Sequence, residues 1–76
     1  MKKVFSLGDR VRVKYGINNF YDGRVVQTIK NDSFEWVSVK PDNPKIIATF
    51  ASAHERSQGF QSYIVNDPVI RRVTKI

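Results

Sequence analysis

Alternation of charged and apolar residues near the N-terminus constrains the fold more than any other feature of the sequence. From Arg10 to Lys14 the chain reads R-V-R-V-K, so cations and valines take turns. Successive side chains of a β-strand point to opposite faces. The run therefore predicts a strand that buries Val11 and Val13 and sets three cations in a row on its other face.

The rest of the chain repeats the pattern of short strands. Runs rich in Val, Ile, Phe, Tyr and Thr are separated by turn residues about every ten positions, which is typical of an all-β sandwich or barrel. We expect one domain over residues 1–76, an SH3-like small barrel of five to six short antiparallel strands. The strands are predicted at 9–15, 23–30, 34–40, 45–50, 61–65 and 70–75.

Turn residues predict how these strands are connected. Asn31-Asp32-Ser33 favours a tight hairpin between the second and third strands, because Asn and Asp bond their own backbone. The segment from Pro41 to Pro44 should end the third strand, since proline offers no amide hydrogen to a ladder. Residues 51–59 predict a loop or one helical turn closed by Gly59. Asn66-Asp67-Pro68 predicts a late 3₁₀ turn.

Composition limits the class of protein. The 76 residues suit a single domain, and the absence of cysteine excludes disulfides and thiolate zinc ligands. A cysteine-free chain fits a reducing compartment, so we expect a cytoplasmic protein. No apolar run approaches the ~20 residues that span a bilayer, and no signal peptide is apparent. We therefore expect neither export nor membrane insertion.

Positive charge is concentrated at the two ends of the chain. The net charge is +6, and residues 15–70 hold five basic and six acidic side chains, so the excess lies in residues 1–14 and 71–76. Pairing of the first and last strands would merge both ends into one patch that attracts a polyanion. Alternatively, charges on an edge strand discourage aggregation between sheets. The cations predicted to contact nucleic-acid phosphates are Lys2, Lys3, Arg10, Arg12, Lys14, Arg71, Arg72 and Lys75.

Aromatic residues indicate whether single strands are plausible ligands, because unpaired bases stack on exposed rings. If the valines of the third strand face the core, Trp36 faces the opposite side and is partly exposed. We predict that Trp36 and Tyr15 stack on bases, with Phe20 and Tyr21 completing an aromatic wall. Two alternatives are that these rings cap the open end of the barrel, or that they form a Tudor-like cage near Asp22 for a methylated cation.

One motif resembles a known family. The run V-R-V-K-Y-G from Val11 to Gly16, followed by G-R-V from Gly23 to Val25, resembles the KOW motif of ribosomal and transcription-elongation proteins. The resemblance implies an SH3-like barrel that contacts RNA, DNA or a protein of the transcription machinery. Phe20 stands where the pattern usually has another glycine.

A second run is similar to the plasmid-encoded type II dihydrofolate reductases, which are also small SH3-like barrels. It comprises G-D-R-V-R from Gly8 to Arg12 and the later G-R-V-V that begins at Gly23. Those enzymes line a tetrameric pore with a Val-Gln-Ile-Tyr strand and a lysine. This chain has Q-S-Y-I from Gln61 and has Val13 in place of the lysine, so the resemblance implies the fold and not the activity.

Residues suited to catalysis or metal binding are few and scattered. The chain has one histidine, two glutamates and five aspartates, mostly beside turn residues. His54, next to Glu55, is predicted to be a solvated loop residue, and we expect no metal and no cofactor. The leading hypothesis is a non-enzymatic nucleic-acid-binding protein, for DNA or RNA, with little sequence specificity. The alternative is a protein-interaction module, an accessory factor or inhibitor in the style of phage and mobile-element proteins; a reductase-like tetramer ranks third.

Overall fold

Five antiparallel strands form one sheet in the computed structural model, which describes residues 5–65 and 72–76. The strand order is β4-β3-β2-β1-β5, so the chain runs as a meander and its last strand returns to pair with its first. The predicted all-β class and the pairing of the two ends are both confirmed. The strands are β1 (Arg10–Lys14), β2 (Phe20–Lys30), β3 (Glu35–Pro41), β4 (Gln61–Ile64) and β5 (Val73–Lys75).

The β2–β3 hairpin turns where the sequence predicts. The Asn31 side-chain oxygen accepts hydrogen bonds from the backbone amides of Ser33, at 2.9 Å, and Phe34, at 2.7 Å. These two bonds stabilise the turn, because the Asn31 side chain takes the place of a backbone hydrogen bond between strands. Strand β2 starts at Phe20, three positions before the predicted start.

The strand predicted over residues 45–50 is wrong, because Pro44–Thr49 forms a 3₁₀ helix. Asn43 caps this helix, since its side-chain oxygen accepts a hydrogen bond from the Lys45 amide at 3.0 Å. Proline suits the first helical position, where its missing amide hydrogen is not needed. The apolar side chain of Ile46 packs against the core, so it resembles a strand residue in the sequence while its backbone is helical.

A short helix follows, as residues 51–59 predict. Helix α1 spans Ala53–Gln58 and begins after Ser52, whose hydroxyl accepts from the Glu55 amide. It ends at Gly59, which adopts the left-handed conformation with φ of 82°, the usual glycine position after a helix. The predicted 3₁₀ turn at residues 66–68 and the start of the predicted strand at 70–75 lie outside the described residues.

One face of the sheet forms the core, and we call it the inner face. Its valines at positions 11, 13, 37 and 39 are fully buried. Tyr21 and Tyr63 belong to the same cluster, and their hydroxyls are hydrogen-bonded at 2.6 Å. Gly23 lies opposite Pro41 and close to the β3 backbone, where a Cβ would approach the Lys40 carbonyl oxygen to 2.5 Å.

A bulge at Val26 divides β2 into two halves. Val25 pairs with Val39, but the next paired residue is Gln27, opposite Ser38. Because side chains alternate between faces, the extra residue reverses the alternation along the rest of β2. Gln27 and Ile29 therefore lie on the same side of the sheet as Ser38, opposite to the core, although Ser38 is itself buried. We call this side the outer face.

Candidate nucleic-acid interface

The first strand presents its cations as the sequence predicts. Arg10, Arg12 and Lys14 are exposed on the outer face, while Val11 and Val13 are fully buried behind them. Strand β1 pairs with β2 on one side and with β5 on the other. Because β1 is not an edge strand, protection of a sheet edge does not explain its charges.

Two of the three β1 cations are paired with carboxylates. Arg12 Nε lies 2.9 Å from Asp22 Oδ1, and Arg10 Nη2 lies 2.6 Å from Asp42 Oδ2. The hydrogen bond from Arg12 holds the pKa of Asp22 below its ordinary value, and the same bond raises the pKa of Arg12. Both ion pairs are exposed, so they are weak and a phosphate could compete for either guanidinium.

Strand register adds two cations that the sequence analysis missed. Arg10 lies opposite Arg24 on β2, and Arg24 lies opposite Lys40 on β3. Neighbouring strands are about 4.8 Å apart, and like charges directly opposite each other destabilise a sheet. Arg24 and Lys40 have no carboxylate partner among the described residues. We call Arg10, Arg24 and Lys40 the cation row.

Another cation, Arg72, lies just before the last strand and beside β1. The Lys14 amide donates to the Arg72 carbonyl oxygen at 2.8 Å, so these two residues lie opposite each other. Like the cation row, neither has a carboxylate partner within residues 5–65 and 72–76. The charge of Arg72 acts on the Tyr63 hydroxyl of the inner face, so Arg72 is left out of this surface. The remaining five cations against two carboxylates leave a net charge of +3. Its members, here named the cationic face, are Arg10, Arg12, Lys14, Arg24 and Lys40, with Asp22 and Asp42.

Lys75 does not join this face. It lies opposite Val11, and its Nζ is 3.3 Å from Asp9 Oδ2 and 5.7 Å from the centre of the Phe5 ring. The Asp9 carboxylate also accepts from the Ser6 amide at 2.9 Å, and this bond, more than Lys75, lowers the pKa of Asp9. Through Asp9 and Phe5, Lys75 thus stabilises the turn that precedes β1 and its position beside the core. The predicted contacts Lys2, Lys3 and Arg71 lie outside the described residues.

Trp36 faces the outer side, as predicted, and is half-buried. Its ring centre is 5.5 Å from that of Phe34, and it lies between Ile29 on β2 and Ile64 on β4. Ile29 and Phe34 are 44% and 46% exposed, so much of this apolar surface meets solvent. We call Ile29, Phe34, Trp36 and Ile64 the aromatic patch.

The aromatic wall predicted from Tyr15, Phe20, Tyr21 and Trp36 does not form. Tyr21 points inward to Tyr63, and burial raises the pKa of both hydroxyls. Tyr15 packs against Tyr21, with ring centres 5.6 Å apart. Trp36 is at the opposite end of the sheet, because its partner Ile29 is nine positions after Phe20; without the extra bulge residue this is about 26 Å of strand.

A polar strip connects the cation row to the aromatic patch. The Ser38 hydroxyl contacts Ser62 Oγ at 2.8 Å and donates to Gln27 Oε1 at 3.4 Å. These three side chains lie on the outer side of β2, β3 and β4, between Lys40 and Trp36 along β3. Ser38 is buried between the other two, so solvent meets the strip at Gln27 and Ser62. The outer face is therefore continuous from charged to polar to aromatic.

Groups suited to other chemistry are sparse in the part of the chain that the structure describes. His54 is exposed and hydrogen-bonded to Gln58 at 2.9 Å, as expected of a solvated residue. Within the described ranges, no three His, Asp or Glu side chains converge as metal ligands. Neither helix described here has the length and apolar character needed to cross a bilayer.

The fold and the site together define a small antiparallel β-protein with a cationic outer face. No protein family, curated protein or solved structure matches the chain. The KOW and reductase resemblances therefore stay predictions.

Proposed function

We propose that this protein is a non-enzymatic nucleic-acid-binding protein that grips the phosphate backbone through its cationic face. Contacts to phosphates carry no sequence information, so binding has little sequence preference. None of the described helices is longer than six residues, which gives the outer face no recognition helix for a major groove. A cytoplasmic location stays a prediction.

The cation row carries the proposal. Arg10, Arg24 and Lys40 stand side by side on three strands, with Asp42 as the partner of Arg10 alone. A folded protein gains nothing from this juxtaposition, because like charges on neighbouring strands repel each other. A polyanion removes the repulsion and releases its own counterions on binding. The row is thus arranged for a ligand more than for the stability of the sheet.

Fluorescence of Trp36, the single tryptophan, provides the test. The protein is titrated with single-stranded DNA, duplex DNA and RNA of equal length, at about 50 and 200 mM salt. We expect binding that weakens markedly at the higher salt. Absence of binding to all three nucleic acids at the lower salt would contradict the proposal.

A pair of charge-matched variants localises the contact. Arg24→Ala should weaken binding to every sequence alike and reduce the log–log salt slope by about 0.7 for single strands or about 0.9 for duplex DNA. The control is Lys45→Ala, which removes one exposed charge from the 3₁₀ helix over the inner face. Equal effects of the two variants would indicate attraction by net charge and no defined interface.

The aromatic patch favours a second candidate function, that of a protein-interaction module. Ile29 and Phe34 are exposed beside Trp36, and exposed apolar clusters often mark binding surfaces. In that case Phe34→Ala would abolish binding to a protein partner, and the protein would show no affinity for free nucleic acid.

A further inference from the structure

We infer that the nucleic acid is single-stranded and runs along the outer face between two base-stacking ends, Phe20 at one and Trp36 at the other. This inference rests on the proposed function and adds the form of the ligand and its path. It also assigns a role to Phe20, which the sequence predicts only as part of an aromatic wall.

Phe20 begins β2 on the outer face. It lies opposite Lys14, alternates with the inward-facing Tyr21 and is 54% exposed. An open cavity of about 380 Å³ lies beside it, lined by Arg12, Phe20, Tyr21 and Asp22, a volume within the range of ligand sites. Arg12 and Asp22 neutralise each other in this cavity, so it attracts a phosphate less than the cation row does, and the Asp22 carboxylate can accept hydrogen bonds from a base. The cavity therefore suits a base stacked on Phe20.

The two stacking ends flank the cation row. Four residues of β2 separate Phe20 from Arg24, and four residues of β3 separate Lys40 from Trp36, about 13 Å each at the usual strand rise. Arg24 and Lys40 are adjacent, so the path from ring to ring is about 26 Å. It corresponds to roughly eight nucleotides at a stacked rise of 3.4 Å, and fewer in an extended strand.

Stacking on both rings requires unpaired bases, which a duplex does not offer without being opened. A ligand with phosphates at the cation row and bases at both ends is complementary to the outer face in charge and in chemistry. Single-stranded binding proteins combine the same two elements, a charged path for the backbone and aromatic platforms for the bases.

The test uses the full-length protein and fluorescence anisotropy of two end-labelled probes, a thymidine decamer and a ten-base-pair DNA hairpin, at about 50 mM salt. We expect the decamer to bind at least about ten-fold more tightly than the hairpin. Phe20→Leu and Trp36→Leu each remove a ring and should weaken decamer binding by about five-fold to a hundred-fold. Phe34→Leu provides a second variant at the Trp36 end if Trp36→Leu does not fold.

Tyr15→Leu is the matched aromatic control. Tyr15 is 43% exposed, close to the value for Phe20, but it packs against the inward-facing Tyr21. We expect decamer binding within about two-fold of the original protein.

Each contrary outcome has a separate meaning. Equal binding of the hairpin and the decamer would overturn the single-stranded ligand and leave the proposed function standing. Unchanged decamer binding by Phe20→Leu, with a clear loss in Arg24→Ala, would overturn the two-ended path alone. Hairpin binding without decamer binding would likewise overturn only the single-stranded ligand. Absence of salt-dependent binding to both probes would overturn the proposed function and this inference with it.

Discussion

The hydroxyls of Tyr21 and Tyr63 are hydrogen-bonded at 2.6 Å inside the core, and the Tyr63 hydroxyl also donates to Gln61 Oε1 at 2.9 Å. Tyr21 must then donate to Tyr63, since each hydroxyl has one proton. The two tyrosines are 6% and 8% exposed. This row of hydrogen bonds therefore joins β2 to β4 across the inner face with little access to water.

The two tyrosines should differ in their contributions to stability. Tyr63→Phe leaves the buried Tyr21 hydroxyl without its partner and should cost about 1–3 kcal/mol of unfolding free energy. Tyr21→Phe leaves Tyr63 bonded to Gln61, so it should cost less, about 1 kcal/mol. Urea unfolding of both variants measures the difference, and a larger loss in Tyr21→Phe would contradict this direction of donation.

The same pair predicts a loss of stability in alkali. Burial raises the pKa of both tyrosines above the ordinary value of 10.0. Above about pH 10 the unfolded chain releases these protons while the folded protein retains them. The unfolding free energy should therefore be unaffected by this pair below pH 10 and fall above it, by up to about 1.4 kcal/mol per pH unit for each tyrosine.

The control for the alkaline loss is the double variant Tyr21→Phe, Tyr63→Phe. Lysines titrate in the same pH range in both proteins. The difference between their plots of unfolding free energy against pH therefore reports the tyrosines alone. Parallel curves above pH 10 would show that the pair does not cause the loss.

Gly23 is the glycine least tolerant of a side chain. A Cβ there would lie 2.5 Å from the Lys40 carbonyl oxygen and 2.8 Å from a Val39 methyl carbon. Gly23→Ala must push β3 away and should cost about 3 kcal/mol, at the upper end for overpacking. In the control Gly16→Ala, the nearest atom is the end of the Asn19 side chain, at 2.9 Å, which can move. Thermal unfolding should rank the two clearly, and an equal loss would contradict the close approach.

Asp42 should act as an internal competitor of the nucleic acid. Its carboxylate pairs with Arg10 at 2.6 Å, so Asp42→Asn frees a cation in the cation row. We expect tighter binding of the thymidine decamer and a salt slope steeper by about 0.7. Asp32→Asn makes the same charge change in the exposed β2–β3 turn. If both variants tighten binding equally, net charge and not Arg10 is responsible.

Lys75 tests whether position matters beyond charge. Its ammonium group lies beside Asp9 and Phe5 and not on the cationic face. Lys75→Ala should therefore lower the melting temperature and leave the salt slope of decamer binding unchanged. A slope reduced as much as in Arg24→Ala would place Lys75 in the interface.

The sequence predicts β1 well because its alternation is strict, and the β2–β3 turn because Asn31 bonds its own backbone. Both signals are local. The segment Pro44–Thr49 failed because its isoleucines are equally compatible with a strand. The cap at Asn43 and the proline after it were the available signals for a helix.

The candidate site was predictable in its β1 cations and in the direction of Trp36, because both follow from alternation within a strand. Arg24 and Lys40 were missed because their proximity to Arg10 depends on register between strands, which residue counts do not reveal. The inward direction of Tyr21 was missed because the predicted strand began at residue 23; the alternation that buries Val25 also buries Tyr21 once β2 starts at Phe20.

The extra residue in β2 determines which side chains of the strand point outward. Upstream of Val26 the even-numbered side chains of β2 point outward, and downstream the odd-numbered ones do. If the bulge were straightened with every residue kept, Val26 would pair with Ser38 and Thr28 with Trp36, and Ile29 would turn to the inner side. A single-codon deletion of Val26 would remove the bulge and still leave Gln27 opposite Ser38 and Ile29 opposite Trp36. This position is therefore the one place in the second half of β2 where the strand can lose a residue without exchanging its two faces.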